Sequence, residues 1–370
     1  ILIDLENDSD YNQEHRNETT KASFFAGMAP YFFMYRRRIM TDYPKFKAAA
    51  VQAAPVFLDA EATADKACKL IEKAASGGAK LIGFPEGFIS GYPWWVWLTD
   101  PITGSPLQQK LMENAVEIPG PVVKKLSEAA RKNNIYVCIS VSEKEGGSLY
   151  LTQLWFNPLG DLMGKHRKMK PSGGERLIWG DGEASMMPVF DTEIGRLGGL
   201  QCWEHWIPLN IQAMNAKNEQ VHVASWPCFV PDDEALTSEA PNEVSARFYA
   251  LATQSYVISS TQIHTQEIYE KMGRLPAYEG FVEYGGGDAC IIGPNGKILT
   301  EKLPKNAEGL AYADIDLEKI VDCKYQIDPA GHYSNKTLRM LVDQDPQPVV
   351  NFAGEEKECS VKYEELQEEK

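Results

Sequence analysis

Cys202 lies in the middle of the run Gly198 to Pro208, Gly-Gly-Leu-Gln-Cys-Trp-Glu-His-Trp-Ile-Pro. A thiol attacks electrophilic carbon only as thiolate, and at an ordinary pKa of about 8.5 a few per cent of it is ionised at neutral pH. A nucleophilic role therefore asks for a neighbouring base. Two other segments share the pattern of an apolar run closing on a charged residue. Lys80 to Phe84 reaches Pro85 and Glu86, and Leu162 to Arg167 reaches Lys168. The carboxylate of Glu86 is the candidate for that base, and Lys168 is a cation presented in the same way. Taken singly, each has a plainer reading: a buried core thiol, a loop carboxylate, one charge in a solvated basic run.

The elements that would carry these groups can be read from hydrophobic spacing. Ile194 to Gln201 reads as a strand feeding Cys202, and an amphipathic helix leaves from Pro208 to about Lys217, so the thiol is expected where a strand turns toward a helix. Gly195, Gly198 and Gly199 let neighbouring backbone come close, and a helix N-terminus nearby would favour thiolate over thiol. Phe46 to Ala54 is a strand-length apolar run. Ala64, Ala67, Cys68, Ile71, Ala74 and Ala75 follow at helical spacing, ended by Gly77-Gly78. Pro121 opens a second helix with Val122, Val123, Leu126, Ala129 and Ala130 on its inner face, and Ile135 to Val141 is the strand beyond it. Tyr150 to Phe156 and Leu162 to Arg167 flank the turn residues Asn157 to Gly160, which makes the sheet mixed. Further strands are expected at Val221 to Trp226, Tyr256 to Thr261, Asp288 to Ile292 and Ile298 to Glu301. A polar loop is read at 231 to 241, and a helix from about Val244 to Ala252. Strands and helices alternating this regularly indicate an α/β layered domain.

With 370 residues, 44% of them hydrophobic, the chain can bury a large core. A net charge of −15 and the lack of a basic stripe beyond Arg36 to Arg38 and the 165 to 170 run exclude nucleic acid as a partner. The seven cysteines are odd in number and form no CxxC pair, which fits reduced thiols in a cytoplasmic setting and argues against a metal site. Phe24 to Tyr35 is apolar but shorter than the roughly 20 residues of a membrane span, and its three arginines follow it, the reverse of a secretory signal. No membrane association is expected.

Glu86 in Pro-Glu-Gly-Phe, Lys168 in His-Arg-Lys and Cys202 in Cys-Trp-Glu-His together match, in type, order and spacing, the Glu-Lys-Cys triad of the nitrilase family. The chain resembles that family from about Tyr43 to about Val350. Further matches are Gly180-Asp181-Gly182, Glu219 to Pro227 and Asp328 to Ser334. The resemblance implies a four-layer αββα sandwich over residues 40–343, with its site at one end of two sheets. Residues 1–39 are read as an extension outside the core, disordered or foreign to it and dispensable for activity, and 344–370 as an acidic, solvated tail. Glu86 would serve as base, Lys168 would stabilise charge on the substrate, and Glu175 would hold Lys168 and a water. Trp203, Trp206 and Tyr92 would line the substrate site, while most tryptophans among 94, 95, 97, 179, 203 and 206 pack layers, and His205 is structural. Ser90, where the family often has proline, and Gly173-Gly174 are expected to loosen loops near the triad.

The implied reaction converts a nitrile to its carboxylic acid and ammonia through a thioimidate and a thioester, with no cofactor and no metal. The alternatives are hydration or dihydration of cyanide, because segments 135 to 170 and 185 to 227 look most like cyanide-degrading members; an amidase or carbamoylase; and a non-catalytic assembly subunit. The family also implies self-association into dimers and helical homo-oligomers.

Overall fold

A computed structural model describes residues 43–228, 241–275, 284–335 and 337–345. The readings made for 1–39, for most of the 231 to 241 loop and for nearly all of the acidic tail lie outside these residues. Twelve strands are present among them: β1 (Lys45–Gln52), β2 (Ala79–Gly83), β3 (Val116–Glu117), β4 (Tyr136–Glu145), β5 (Ser148–Phe156), β6 (Leu162–Arg167), β7 (Val189–Thr192), β8 (Gly195–Gln201), β9 (Val221–Trp226), β10 (Tyr256–Thr261), β11 (Cys290–Ile292) and β12 (Gly309–Asp316). The α-helices are α1 (Ala60–Ser76), α2 (Trp95–Leu98), α3 (Pro101–Glu113), α4 (Pro121–Asn133), α5 (Pro208–Ala216), α6 (Pro241–Thr253), α7 (Gln266–Lys271) and α8 (Glu318–Gln326).

Hydrogen bonding orders one set of strands β6-β5-β4-β2-β1-β12 and the other β7-β8-β9-β10-β11. β1 runs antiparallel to β12 over its whole length, yet it meets β10 only at Gln52 and Thr261. The two sets are therefore two sheets touching at one corner. Alternation along each strand sends side chains to opposite faces. Ala48, Ala50, Leu81, Tyr136 and Cys138 pack against Leu197, Val221, Val223, Ile258 and Ile291 between the sheets. Their neighbours Ala49, Val51, Ile82, Val137 and Ile139 face outward onto Ala64, Ala67 and Ile71 of α1 and Leu126 and Ala130 of α4. On the other sheet, Ala224, Trp226, Val257 and Ile292 pack with Ile211 and Met214 of α5 and Ala246, Tyr249 and Ala250 of α6. The result is the expected αββα sandwich.

Local chemistry sets the ends of the helices. Asp59 caps α1 by accepting the N–H of Ala62, and Pro121 begins α4, which Asn134 closes at φ 50 in the left-handed region. Ile298 to Glu301 is not a strand: Ile298 bridges to Ile292 and the Leu299 N–H donates to Ile291 O (2.8 Å), but the Ile291 N–H goes to the Thr300 hydroxyl (3.2 Å) in place of a backbone carbonyl. Asp328 to Ser334 forms exposed turns, with Tyr333 71% exposed. α3, α8 and β12 were not read from spacing, and β12 is the edge partner that completes the first sheet.

Candidate active site

β2, β6 and β8 all deliver their C-terminal ends to the same end of the sandwich, two from one sheet and one from the other. Glu86 follows β2. Its backbone N–H donates to the carbonyl of Trp226 at the end of β9 (3.2 Å), and Gln262 Nε2 donates to its carbonyl (2.5 Å), so the loop is tied to the opposite sheet. Lys168 follows β6, its N–H donating to Leu151 O (2.8 Å). Cys202 follows β8 and opens a short 3-10 helix, Cys202–Trp206. Its φ of 47° is left-handed, uncommon outside glycine, and backbone strain of this kind clusters at functional positions.

The side chains meet in a fully buried cluster. Lys168 Nζ donates to Glu86 Oε1 (2.7 Å) and to Glu175 Oε2 (2.8 Å). Glu175 is fixed from its other oxygen by the Tyr92 hydroxyl (2.8 Å), which in turn accepts from Trp97 Nε1 (3.0 Å). The Ser172 N–H completes its shell at 2.7 Å. Glu86 Oε2, although buried, has no protein hydrogen-bond partner among the described residues. The charges of Glu86, Lys168 and Glu175 all act on the thiol of Cys202.

Burial dominates the electrostatics here. It pushes the Glu86 carboxyl up to about 8 against the pull of Lys168. For Lys168 burial works the other way, but Glu175 and Glu86 outweigh it and keep the ammonium charged. The Cys202 thiol is held well above its usual range by burial and then by Glu86, with Lys168 opposing. This corrects the expectation of a thiolate favoured by a helix N-terminus: at rest the thiol is protonated, because one five-residue turn cannot offset desolvation beside two carboxylates.

Two groups that sequence spacing left in the background lock these segments together. Glu204 accepts from the N–H of Gln201 (2.8 Å), just before Cys202, and from the N–H of Met169 (2.8 Å), just after Lys168, while its Oε2 meets His166 Nε2 (2.9 Å). Gln201 Nε2 donates to Leu151 O (3.0 Å), and its Oε1 accepts from Ser140 (2.5 Å), whose hydroxyl receives the Gly87 N–H (2.8 Å). The spacing Gln201-x-x-Glu204, the pattern of a capping box, is the one sequence signal that could have marked this clamp.

The readings made for the flanking loops change. Gly173 and Gly174 do not loosen their loop: a Cβ on Gly173 (φ 47°) would meet the Trp97 ring at 2.2 Å, and one on Gly174 the Val96 carbonyl oxygen at 2.7 Å. They permit close packing. Ser90 is buried, donates to Asn114 O, and sits at φ 83°, which a proline ring cannot adopt. Trp203 stacks on Trp206 (centroids 5.1 Å, 19°) and meets the edge of Trp97 (6.1 Å), and Trp206 is 39% exposed. Tyr92 is 3% exposed with its hydroxyl engaged at Glu175. Among the described residues no group of His, Cys, Asp and Glu could hold a metal ion, and no helix is long and apolar enough to cross a membrane.

The chain is similar to known proteins in sequence and, separately, in fold. The family profile described as carbon-nitrogen hydrolase matches residues 47–325. A protein named nitrilase from Bacillus sp. strain OxB-1 is 50% identical over 329 residues, covering 89% of this chain and 97% of that one. An aliphatic nitrilase of Rhodococcus rhodochrous is 44% identical over 80% of this chain and 79% of its own length. An arylacetonitrilase of Aspergillus niger is 36% identical over 82% of this chain and 90% of that one. Among solved structures, a carbon-nitrogen hydrolase from Helicobacter pylori superposes with a TM-score of 0.62 at 19% identity, over 77% of this chain and 94% of that one. An amidase from Nesterenkonia sp. gives 0.56 at 18%, over 76% and 94%.

Proposed function

This chain belongs to the nitrilase family of the carbon-nitrogen hydrolases, and from that premise we propose that it converts an organic nitrile to the carboxylic acid and ammonia through Cys202. The observation that carries the assignment of residues is the buried ammonium of Lys168 bridging Glu86 and Glu175 beside that thiol. Glu86 takes the thiol proton as sulfur attacks the nitrile carbon, and its unbonded Oε2 is the lone pair for that task. The proton passes to the nitrile nitrogen, giving a thioimidate. Water adds to the imidate carbon, the C–N bond breaks and ammonia leaves, so a thioester remains. A second water, activated by Glu86, releases the acid and restores the thiol. Lys168 stays protonated throughout and stabilises negative charge as it develops on nitrogen and then oxygen. Glu175, itself anchored by Tyr92 and Ser172, holds Lys168 in place.

The test is the release of ammonia and acid from an aliphatic nitrile, an arylacetonitrile and cyanide. The relatives named for aliphatic and arylaceto substrates favour organic nitriles. Formate or formamide from cyanide alone would move the reading to cyanide breakdown, and no product from any of the three would leave a non-catalytic subunit.

The same assay gives a pH prediction. Glu86 must be unprotonated to accept the thiol proton, and burial raises its pKa to about 8. The acid form therefore persists to higher pH than for an ordinary carboxyl near 4.3. kcat/KM should fall about tenfold per unit as pH drops below about 8. A flat profile from about pH 6 to 8 would remove Glu86 from the role of base.

Self-association is supported by an apolar surface where α5 and α6 lie together: Ile207, Leu209, Val244, Phe248 and Leu251 are 48 to 64% exposed, next to Trp206. A second copy of the chain is the occupant that fits the family. Because the chain carries −15 charges, further assembly should strengthen with salt as repulsion is screened. Phe248→Glu should shift sedimentation from dimer or larger to monomer. A wild-type monomer at all salt concentrations would refute the assembly.

A further inference from the structure

Against the backbone of Cys202 packs a second buried set of titratable groups that the reaction above leaves unused. His205 Nδ1 lies 2.7 Å from the Cys202 carbonyl oxygen, and His205 Nε2 lies 2.9 Å from His222 Nε2. His222 Nδ1 lies 2.9 and 3.0 Å from the two oxygens of Glu219, and the Tyr249 hydroxyl donates to Glu219 Oε2 at 2.5 Å. Ring contacts hold the imidazoles: His205 stacks on Trp226 (4.8 Å, 27°) and His222 lies over Tyr249 (3.9 Å, 31°). Gly198 makes room for the carboxyl, since a Cβ there would meet Glu219 Oε1 at 2.2 Å.

Donor and acceptor rules leave one arrangement of protons along most of this chain. A carbonyl oxygen only accepts, so His205 Nδ1 carries hydrogen. Burial and neighbouring His222 depress the His205 pKa to about 3, so the ring is neutral and its Nε2 accepts. His222 Nε2 must then carry hydrogen. One proton remains for the contact between His222 and Glu219, and on whichever of the two it sits the pair has no net charge. Burial places it on the carboxyl, raising Glu219 to about 8 and holding His222 well below the usual imidazole range.

The far end of this chain grips one peptide plane. The Cys202–Trp203 peptide is rigid, with C=O and N–H pointing opposite ways. Its oxygen is held by His205, and its N–H, on the opposite edge, favours the ionised thiol, the smallest influence on Cys202 after burial and the charges of Glu86, Lys168 and Glu175. The Glu204 clamp fixes the turn at Gln201, on the N-terminal side of Cys202, and His205 adds a hold on the carbonyl that follows the left-handed Cys202. A hydrogen bond at the oxygen also polarises the peptide and strengthens its N–H as a donor.

We propose that Glu219, His222 and His205 form an uncharged relay of positioning residues that locks the Cys202–Trp203 peptide and keeps the Trp203 N–H turned to the sulfur during attack. This rests on the reading of Cys202 as nucleophile. The test compares His205→Phe, which keeps a ring but loses the donor, with His205→Asn, whose amide N–H takes the place of Nδ1. Two quantities are measured on folded protein: the rate of iodoacetamide addition at Cys202, followed by peptide mass, and kcat and KM for ammonia release. His205→Phe should slow alkylation and lower kcat by about 100-fold with KM within about threefold, the scale of losing one oriented backbone donor. His205→Asn should recover at least about tenfold of that loss. If His205→Phe does not fold, His222→Phe replaces it, since it strips the donor from His205 Nε2, and it should slow both rates by about tenfold. Equal rates in wild type and variants, or equal losses in Phe and Asn, would overturn the relay. Wild-type protein that alkylates at Cys202 but releases no ammonia would sink the nitrile reading and leave the relay standing.

Discussion

Cys202→Ala is expected to abolish ammonia release, with kcat lowered by about 10⁴-fold or more, while the protein keeps its melting temperature to within a few degrees. The catalytic loss follows from chemistry: alanine cannot form the thioimidate, and water cannot replace a nucleophile held against the substrate. The structural half follows from packing. Cys202 borders the cluster of Leu200, Met214 and Trp226 but is a small contributor to it, and losing one sulfur from such a border costs on the order of 1 kcal/mol. Alanine meets the same left-handed φ as cysteine, so backbone strain does not change. Circular dichroism and the ammonia assay measure the two halves separately. In wild type, inactivation by iodoacetamide should track mass added at Cys202. It should not track mass at half-buried Cys68 or Cys323, which can also react but lie outside the cluster. Appreciable turnover by Cys202→Ala would end the covalent mechanism.

Lys168 variants should lose activity and stability together. Lys168→Ala leaves Glu86 and Glu175 facing each other in a dry pocket without their shared cation. Breaking a buried ion pair from one side typically costs about 3–5 kcal/mol. A clear fall in melting temperature should accompany a loss of at least about 100-fold in turnover. Glu86→Gln separates the effects, since its amide oxygen can still accept from Lys168 while the base is gone. Turnover should drop about 10²–10⁴-fold with little change in melting temperature. Lys168→Arg should not rescue, because a guanidinium is broader than the ammonium seated 2.7 and 2.8 Å from the two carboxylates. Near-normal rates with arginine would mean the pocket is looser than a single-point charge requires.

The sequence by itself determined the strands that carry the site and the residue types at their ends. The strand-length runs that stop at Glu86, Lys168 and Cys202 are local patterns, and β6, β9 and β10 begin and end where the runs do. Motif resemblance supplied the αββα order, because alternation in strands buried on both faces cannot say which face meets a helix and which a second sheet. The tertiary structure decided what depends on contacts distant in the chain. Lys168 and Glu86 are 82 residues apart, and β12 pairs with β1 from the other end of the domain. The protonated resting thiol, the tight seat of Gly173 under Trp97 and the grip of His205 on the Cys202 carbonyl all escaped the reading by spacing. Each is set by burial and by the path of the backbone: a pKa follows the charges and solvent around a group, a glycine's role follows what faces its missing Cβ, and a hydrogen bond follows angles that a linear order of residues does not contain.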